Sequence, residues 1–254
     1  MTKKKYKALM LDLDGTTIPN ETFGMPSEKV KEAIYQESKK IYVGCVTARP
    51  YAWAKEVIDS VSFNAPCILT GGAEIYDPAS KELLWQRKVP ADTAIQICNM
   101  LKKKKIPFLY PNRSHSLKAS YRTNIPADGV IEIAVPNLTF EQADLLIEEL
   151  QKTFKNTSAH KVIGAEGHGY WLQITHGEAT KQYGILKVAE LLNIETHEII
   201  GVGDNYNDFP LLMACGLKVA MGNAPPELKA IADYIAPTVD EDGVADVIEK
   251  FVLN

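Results

Sequence analysis

The stretch ALMLDLDGT, at residues 8–16, decides how the rest of the chain is interpreted. Its first four residues are apolar and predict a short strand that is buried on both faces of a parallel sheet. Two carboxylates, Asp12 and Asp14, follow that strand, and Gly15 permits a tight backbone turn. Taken alone, such a pair is most typical of an ordinary turn or cap. Ligands of open parallel sheets bind beyond the carboxyl ends of the strands, so both carboxylates are also candidates for a functional site.

Strands and helices alternate outward from this stretch and again in the last third of the sequence, which predicts βαβ units and a parallel sheet. The first region contains predicted helices at 27–40 and 52–61 and predicted strands at 41–47 and 67–70. The last region contains predicted helices at 181–192, 208–214, 225–232 and 243–252, and predicted strands at 199–202 and 217–221.

The middle of the chain has a different pattern. A hairpin is predicted around residues 77–80, and a helix that begins at Thr139 is predicted to form a capping box with Gln142. The other predicted elements are a helix at 92–104 and strands near 106–110, 116–121, 130–135, 160–165 and 170–175. We therefore predict an α/β fold in which a Rossmann-like parallel-sheet core, residues 1–83 and 179–254, is interrupted by an inserted α+β cap of αββαββ type, residues 84–178.

Polar residues also follow two other predicted core strands. Thr47 follows an apolar run, and Asp204 begins the polar part of GDNYND at 203–208. Parallel strands end at one sheet edge, so at least three carboxylates and a hydroxyl are expected to meet there. Such negative charge is costly without a hard cation, and Mg²⁺ prefers carboxylate, phosphate and water oxygens. For GDNYND alone, a turn with a helix cap explains the residues about as well.

Lys181 stands at the start of the helix with which the α/β pattern resumes. A cation is slightly disfavoured at the positive end of a helix dipole, so its position suggests a functional reason. An isolated lysine is nevertheless most often a solvated surface charge.

The composition excludes several classes of protein. The chain has 254 residues and a formal net charge of -4, without the concentrated basic face of a nucleic-acid-binding protein. No run approaches the roughly 18 apolar residues of a membrane span. The four cysteines are dispersed, as in reduced intracellular proteins. We expect a cytoplasmic protein that binds neither nucleic acid nor membrane, either as a monomer or as a small homo-oligomer.

Together the ordered segments resemble the four motifs of the haloacid dehalogenase (HAD) superfamily of phosphohydrolases. DLDGT at 12–16 matches the first motif, Thr47 the second, Lys181 the third and GDNYND at 203–208 the fourth. The insertion resembles a type IIB cap. The segments VAMGNA at 219–224 and EDGVA at 241–245 are similar to the Cof-type subgroup.

The resemblance implies a Mg²⁺-dependent phosphomonoester hydrolase that acts on a small phosphorylated metabolite, such as a sugar phosphate, through an aspartyl-phosphate. It implies that Asp12 is the nucleophile and Asp14 the general acid and base. Thr47, Lys181 and Asn207 would bind or orient the phosphate. The implied Mg²⁺ ligands are Asp12, Asp14 (through its backbone carbonyl), Asp204 and Asp208. A hexose-phosphate mutase or other phosphotransferase with the same core, and a phosphate-binding or phospho-receiver module without turnover, are the alternatives.

The chain departs from the subgroup's usual pattern at three positions. Ala48 replaces a glycine in the second motif, Gly71 replaces an asparagine after the third strand, and Gln182 replaces the glycine after the motif lysine. The change at Gly71 removes a polar contact that would reach the substrate. Three residues between predicted cap strands are candidates for substrate contact when the cap closes, namely Arg113, His115 and His168.

Overall fold

The computed structural model of the chain describes residues 6–21, 24–110, 125–163 and 169–252. Arg113, His115 and His168, the three candidates for substrate contact from the cap, lie outside these ranges, as does the strand predicted near 116–121. None of the helices within the described ranges has the length and apolar character needed to cross a membrane.

A five-stranded parallel sheet forms the centre of the molecule, as the alternating pattern predicted. Its strands are β1 (Ala8–Leu11), β2 (Tyr42–Cys45), β9 (Ile199–Gly203), β10 (Leu217–Ala220) and β11 (Tyr234–Ile235). They are arranged in the order β11-β10-β9-β1-β2. The helices of the described ranges that cover this sheet are α1 (Glu28–Glu37), α2 (Tyr51–Ser60), α5 (Lys181–Leu192), α6 (Phe209–Ala214), α7 (Pro226–Ile231) and α8 (Gly243–Phe251).

The two faces of the central sheet bury separate hydrophobic clusters. Leu9 and Leu11 belong to the cluster shared with α1, α2 and α8, whereas Ala8 and Met10 belong to the cluster shared with α5, α6 and α7. Successive strand side chains point to opposite faces, so an uninterrupted apolar run is what a strand covered on both sides requires. The prediction that residues 8–11 form such a strand is confirmed.

A small antiparallel sheet leads from the core toward the insertion. It consists of β3 (Cys67–Leu69), β4 (Glu74–Asp77) and β5 (Glu82–Gln86). The first of these strands is linked to the end of β2 by a parallel bridge between Val46 and Ile68. The predicted hairpin between β4 and β5 is confirmed, and the Asp77 carboxylate accepts the N–H groups of Ala79 and Ser80 within the turn.

The insertion contains an antiparallel sheet with two helices on one face. Its elements are α3 (Ala91–Lys103), β6 (Ile133–Leu138), α4 (Phe140–Thr153), β7 (Thr157–Ile163) and β8 (Tyr170–His176), and the strand order is β6-β8-β7. The predicted capping box of Thr139 and Gln142 is present at the start of α4. We call this unit the cap.

Alternation along β8 gives the two faces of the cap sheet different roles. Leu172 and Ile174 lie in the hydrophobic cluster of the cap, against α3 and α4. The opposite face carries Trp171 and Gln173, which contact the core domain.

One predicted cap strand was wrong. With the described residues, the segment predicted as a strand at 106–110 forms a single bridge, in which the backbone of Leu109 exchanges two hydrogen bonds with Ala134. The segment directly follows α3, and the Ile106 N–H still bonds to the carbonyl of Leu101 at the end of that helix. The N–H of Ile106 is therefore not free to pair with a neighbouring strand. The strand predicted at 130–135 begins three residues later, at Ile133.

Candidate active site

The loop that follows β1 places Asp12 at the carboxyl edge of the central sheet. The Asp12 N–H bonds to the carbonyl of Val202 at 2.9 Å, and this contact continues the pairing of β1 with β9. The Thr17 hydroxyl donates to the carbonyl of Asp12 at 2.6 Å. Asp12 is buried, so its carboxylate lies below the surface of the protein.

Gly15 is required by the close approach of the loop to Asp204. Its φ is +79°, and a Cβ there would lie 2.2 Å from Asp204 Oδ2. The neighbouring Thr16 hydroxyl donates to Asp204 Oδ1 at 2.9 Å. The DGT part of the first segment therefore contacts the carboxylate of Asp204, which follows β9 and is about 190 residues away in sequence.

Lys181 lies at the centre of the buried site. It is the first residue of α5, after the N-cap Thr180, and its Nζ lies 2.6 Å from Asp12 Oδ1 and 2.6 Å from Asp208 Oδ1. Burial lowers the pKa of Lys181, but attraction to Asp12 and Asp208 outweighs that effect and raises the pKa overall. The lysine is therefore a permanently charged ammonium that links two segments of the predicted site.

Backbone N–H groups of the fourth segment, residues 203–208, bind the side-chain carboxylate of Asp208. Asp208 Oδ2 accepts the N–H groups of Asp204 and Asn205 at 2.9 and 3.0 Å. Asn207, a predicted phosphate-orienting residue, lies in the same short turn, Tyr206–Asp208. Burial, followed by repulsion from Asp208, raises the pKa of Asp204 to about 7.

Three buried carboxylates converge at one point. Asp12, Asp204 and Asp208 each offer an oxygen, and these atoms all lie within 4.8 Å of one another. Burial, and then repulsion from Asp208, raise the pKa of Asp12 despite the opposing effect of Lys181. A divalent cation that prefers oxygen ligands fits this group, because it would offset a negative charge that Lys181 alone does not neutralise.

The Asp14 carboxylate is turned away from that group and toward Arg49. Arg49 Nε lies 2.9 Å from Asp14 Oδ2, and Arg49 Nη2 lies 2.5 Å from Asp14 Oδ1. The two residues form a two-point ion pair that fixes the plane of the carboxylate as well as its position. Sequence reasoning missed Arg49 as a site residue, although it stands two positions after Thr47.

The loop that carries Thr47 and Arg49 is connected to the third strand. Thr47 is fully buried, its N–H bonds to the carbonyl of Ile68 at 2.8 Å, and its carbonyl accepts the N–H of Gly71 at 3.0 Å. The Thr47 hydroxyl accepts the N–H of Arg49 at 3.0 Å. The four predicted segments are thus brought together at one edge of the central sheet.

Asn223 is a second residue that sequence reasoning did not assign to the site. Its Nδ2 donates to the carbonyl of Gly15 at 2.8 Å and lies 3.3 Å from Asp204 Oδ2. The residue follows β10 at the same sheet edge as Asp204, so strand-end position was the signal that could have identified it.

The cap sheet brings polar residues to the loop that carries Thr47 and Arg49. Gln173 Nε2 donates to the carbonyl of Ala48 at 2.9 Å and also to the carboxylate of the buried Glu132. His160 is paired with Gln173 across β7 and β8, and its Nε2 lies 2.7 Å from the Ser158 hydroxyl. Burial, and then the positive charge of Lys181, lower the pKa of His160, so the imidazole is neutral at pH 7.

Glu132 provides a prediction for stability. Burial raises its pKa to about 7 from an ordinary value of 4.5, so the unfolded chain loses this proton before the folded protein does. Stability should therefore fall as the pH rises between these values and level off above them. Glu132→Gln does not titrate and should be more stable than the wild type at pH 8, by roughly 3 kcal/mol at most.

Urea unfolding at pH 5 and pH 8 tests this expectation, with Glu56→Gln, an exposed glutamate of α2, as the control. The advantage of Glu132→Gln should shrink at pH 5. A difference from the wild type that does not change with pH would show that burial does not raise this pKa.

Comparisons with known proteins place these features in a family. Residues 9–248 match the model of haloacid dehalogenase-like hydrolases. The chain is 28% identical over 249 residues to 5-amino-6-(5-phospho-D-ribitylamino)uracil phosphatase YcsE of Bacillus subtilis, and the match covers 97% of this chain and 96% of that protein.

Solved structures agree with the fold. A haloacid dehalogenase-like hydrolase from Bacteroides thetaiotaomicron has a TM-score of 0.80 at 23% identity, with coverage of 97% of this chain and 99% of that one. The HAD subclass IIB sugar phosphatase BT4131 has a TM-score of 0.77 at 22% identity, with coverage of 98% and 100%. The predicted combination of a parallel-sheet core and an inserted α+β unit is therefore shown.

Proposed function

The chain belongs to the haloacid dehalogenase-like hydrolase family and is a phosphatase, and we propose that it hydrolyses phosphomonoesters of small, sugar-like metabolites through an aspartyl-phosphate on Asp12. One observation carries the proposal. The Asp12 carboxylate is held by Lys181 inside a group of buried carboxylates, while Asp14, two residues away, is kept outside that group by Arg49.

Asp12 and Asp14 divide the chemistry between them. An oxygen of Asp12 attacks phosphorus, the bond from phosphorus to the ester oxygen breaks, and Asp14 donates a proton to the departing oxygen. Asp14 then takes a proton from a water molecule, whose oxygen attacks the phosphorus of the aspartyl-phosphate. The second step releases inorganic phosphate, restores the Asp12 carboxylate and leaves Asp14 protonated for another cycle.

Other residues hold the phosphoryl group in place. We assign Lys181 and Thr47 to its oxygens, the lysine as a point charge and the threonine as a hydroxyl donor. Asn207 is assigned to orient the phosphate or Lys181. Asp208 keeps Lys181 in position through the contact at 2.6 Å, so the ammonium does not depend on substrate for its orientation.

Asp12, Asp204, Asp208 and the backbone carbonyl of Asp14 are the residues that would hold Mg²⁺. When bound, the ion supplies positive charge that offsets the charge of the nucleophile and of the phosphate. Thr16 and Asn223 hold the Asp204 carboxylate in the orientation this requires.

Binding of Mg²⁺ should stabilise the fold. A saturating concentration near 100 times the dissociation constant contributes about 2.7 kcal/mol, or a rise of roughly 5–10 °C in the unfolding midpoint of a protein of this size. Calorimetry with Mg²⁺ and with a chelator measures this rise. It should be lost in Asp204→Asn and kept in the control Asp92→Asn, an exposed cap residue. An equal rise in both variants would contradict this metal site.

The function itself is tested by the release of inorganic phosphate from phosphorylated sugars, polyol phosphates, nucleotides and phosphorylated coenzymes. Release should require Mg²⁺ and be absent in Asp14→Asn. Transfer of the phosphoryl group to a second sugar would identify a phosphotransferase or mutase. An aspartyl-phosphate that forms but does not turn over would identify a receiver module.

We also propose the limits of the domains and the location of the protein. The core comprises residues 1–83 and 179–254, and the cap comprises residues 84–178. The four cysteines are free thiols and all are buried, which supports a reducing, cytoplasmic environment.

A further inference from the structure

Cap strand β8 contacts the core at the loop that carries two site residues. The Gln173 amide reaches the carbonyl of Ala48, which lies between the proposed phosphate ligand Thr47 and the Asp14-binding Arg49. Gln173 is 93% buried, so this contact is sheltered from water. A hydrogen bond to that carbonyl restrains the peptide from which both neighbouring residues extend.

Two hydrogen bonds and a close approach to Gly71 define the orientation of the Gln173 side-chain amide. One of its N–H groups bonds to Ala48 and the other to Glu132, so both donors are used. Its Oε1 lies over Gly71, where an added Cβ would come within 3.1 Å of that oxygen. The absence of a side chain at position 71 therefore makes room for the amide of the cap.

A second contact of β8 is linked to the same arginine through α2. Trp171 lies two residues before Gln173 on the same face, and its ring stands 5.9 Å from that of Trp53 in α2. The carbonyl of Trp53 accepts a hydrogen bond from Arg49 Nη1 at 3.3 Å. The cap thus contacts the peptide between Ala48 and Arg49 directly and is linked to the Arg49 guanidinium through Trp53.

We propose that Gln173 is a positioning residue through which docking of the cap sets the position of Arg49 and, through Arg49, the orientation of Asp14. The proposal rests on the proposed function, because it assigns Asp14 the task of protonating the leaving oxygen.

The leaving group of the substrate reports on this role. An alkyl phosphate depends on protonation of its departing oxygen, whereas p-nitrophenolate leaves with little need of a proton. Loss of Gln173 should therefore lower kcat/KM for alkyl phosphates much more than for p-nitrophenyl phosphate. A general loss of folded protein would lower both values by the same factor.

The variant Gln173→Met keeps the length and volume of the side chain but removes both donors. Gln151→Met, at an exposed glutamine of α4, is the matched control. We expect Gln173→Met to lower kcat/KM for a simple alkyl phosphate by about tenfold and for p-nitrophenyl phosphate by less than about threefold. Gln151→Met should leave both values unchanged.

Combination with Arg49→Gln shows whether Gln173 acts through the arginine. If it does, the double variant should be no slower on the alkyl phosphate than Arg49→Gln alone. Equal losses on both substrates, or losses that multiply in the double variant, would overturn the positioning role. A wild-type protein that hydrolyses neither p-nitrophenyl phosphate nor any of the phosphorylated sugars, polyol phosphates, nucleotides and coenzymes would instead overturn the proposed function, and this inference with it.

Discussion

Replacement of Asp12 by Asn is expected to abolish phosphate release, with a loss of at least roughly 10⁴-fold in kcat for any substrate that the wild type hydrolyses. The amide has nearly the same shape as the carboxylate but is a very poor nucleophile. It also leaves Lys181 with one carboxylate partner instead of two. Steady-state phosphate release under saturating Mg²⁺ measures the loss.

The same variant should remain folded, which separates its chemical effect from damage to the protein. Burial and the nearby Asp208 carboxylate raise the pKa of Asp12, so the charged form is disfavoured where it stands. Removal of that charge relieves repulsion within the metal-free group, and the unfolding midpoint without Mg²⁺ should not fall. Residual activity near the wild-type level in purified Asp12→Asn would remove Asp12 from the role of nucleophile.

Replacement of Lys181 by Met should have the second large effect, on stability as well as on activity. The lysine is buried and lies 2.6 Å from both Asp12 and Asp208, so its removal leaves two buried carboxylates without their counter-charge. Breaking a buried ion pair in this way typically costs about 3–5 kcal/mol. Phosphate release should also be lost, because the proposed phosphate ligand is gone.

Lys187→Met is the matched control, since this lysine lies on the same helix and pairs with Glu190 at the surface. The expected cost there is below about 1 kcal/mol. Urea unfolding at pH 7 compares the two variants. Equal stabilities would contradict the view that Lys181 neutralises the buried carboxylates.

The sequence was most informative where local pattern and sheet geometry act together. The apolar run before Asp12 predicted a strand buried on both faces, and the helix that begins at Lys181 was predicted with the correct limits. The capping box of α4 was also predicted from residues three apart. The strand, the helix and the capping box each depend on residues that are close together in sequence. The position of the site followed from the rule that the carboxyl ends of parallel strands meet at one edge of a sheet.

Contacts between distant segments could not be predicted in the same way. The pairing of Arg49 with Asp14 and the hydrogen bond from Asn223 to Gly15 depend on how loops from different strands meet. Both residues stand close to the ends of core strands, but that position alone does not say which partner either side chain would reach.

Gly71 is a further example of a contact between distant segments that the local sequence does not predict. The sequence suggested only the loss of a polar contact to substrate, whereas in the structure Gln173 Oε1 of the cap lies 3.1 Å from where a Cβ at position 71 would stand. This contact joins the core to the cap, so it could not be predicted from the sequence around position 71 alone.

The central claim, a covalent phosphoryl group on Asp12, is tested most directly by peptide mass mapping of the Asp14→Asn protein. The protein is mixed with Mg²⁺ and with p-nitrophenyl phosphate, whose leaving group needs little help from a general acid, and the reaction is quenched in acid. Without its proposed general base the variant should accumulate the intermediate, so the peptide that contains Asp12 should gain the mass of one phosphoryl group. With p-nitrophenyl phosphate, the same variant should release p-nitrophenolate in a burst of one equivalent per protein. The absence of both the mass gain and the burst, with a wild type that releases phosphate from the same compound, would contradict the account.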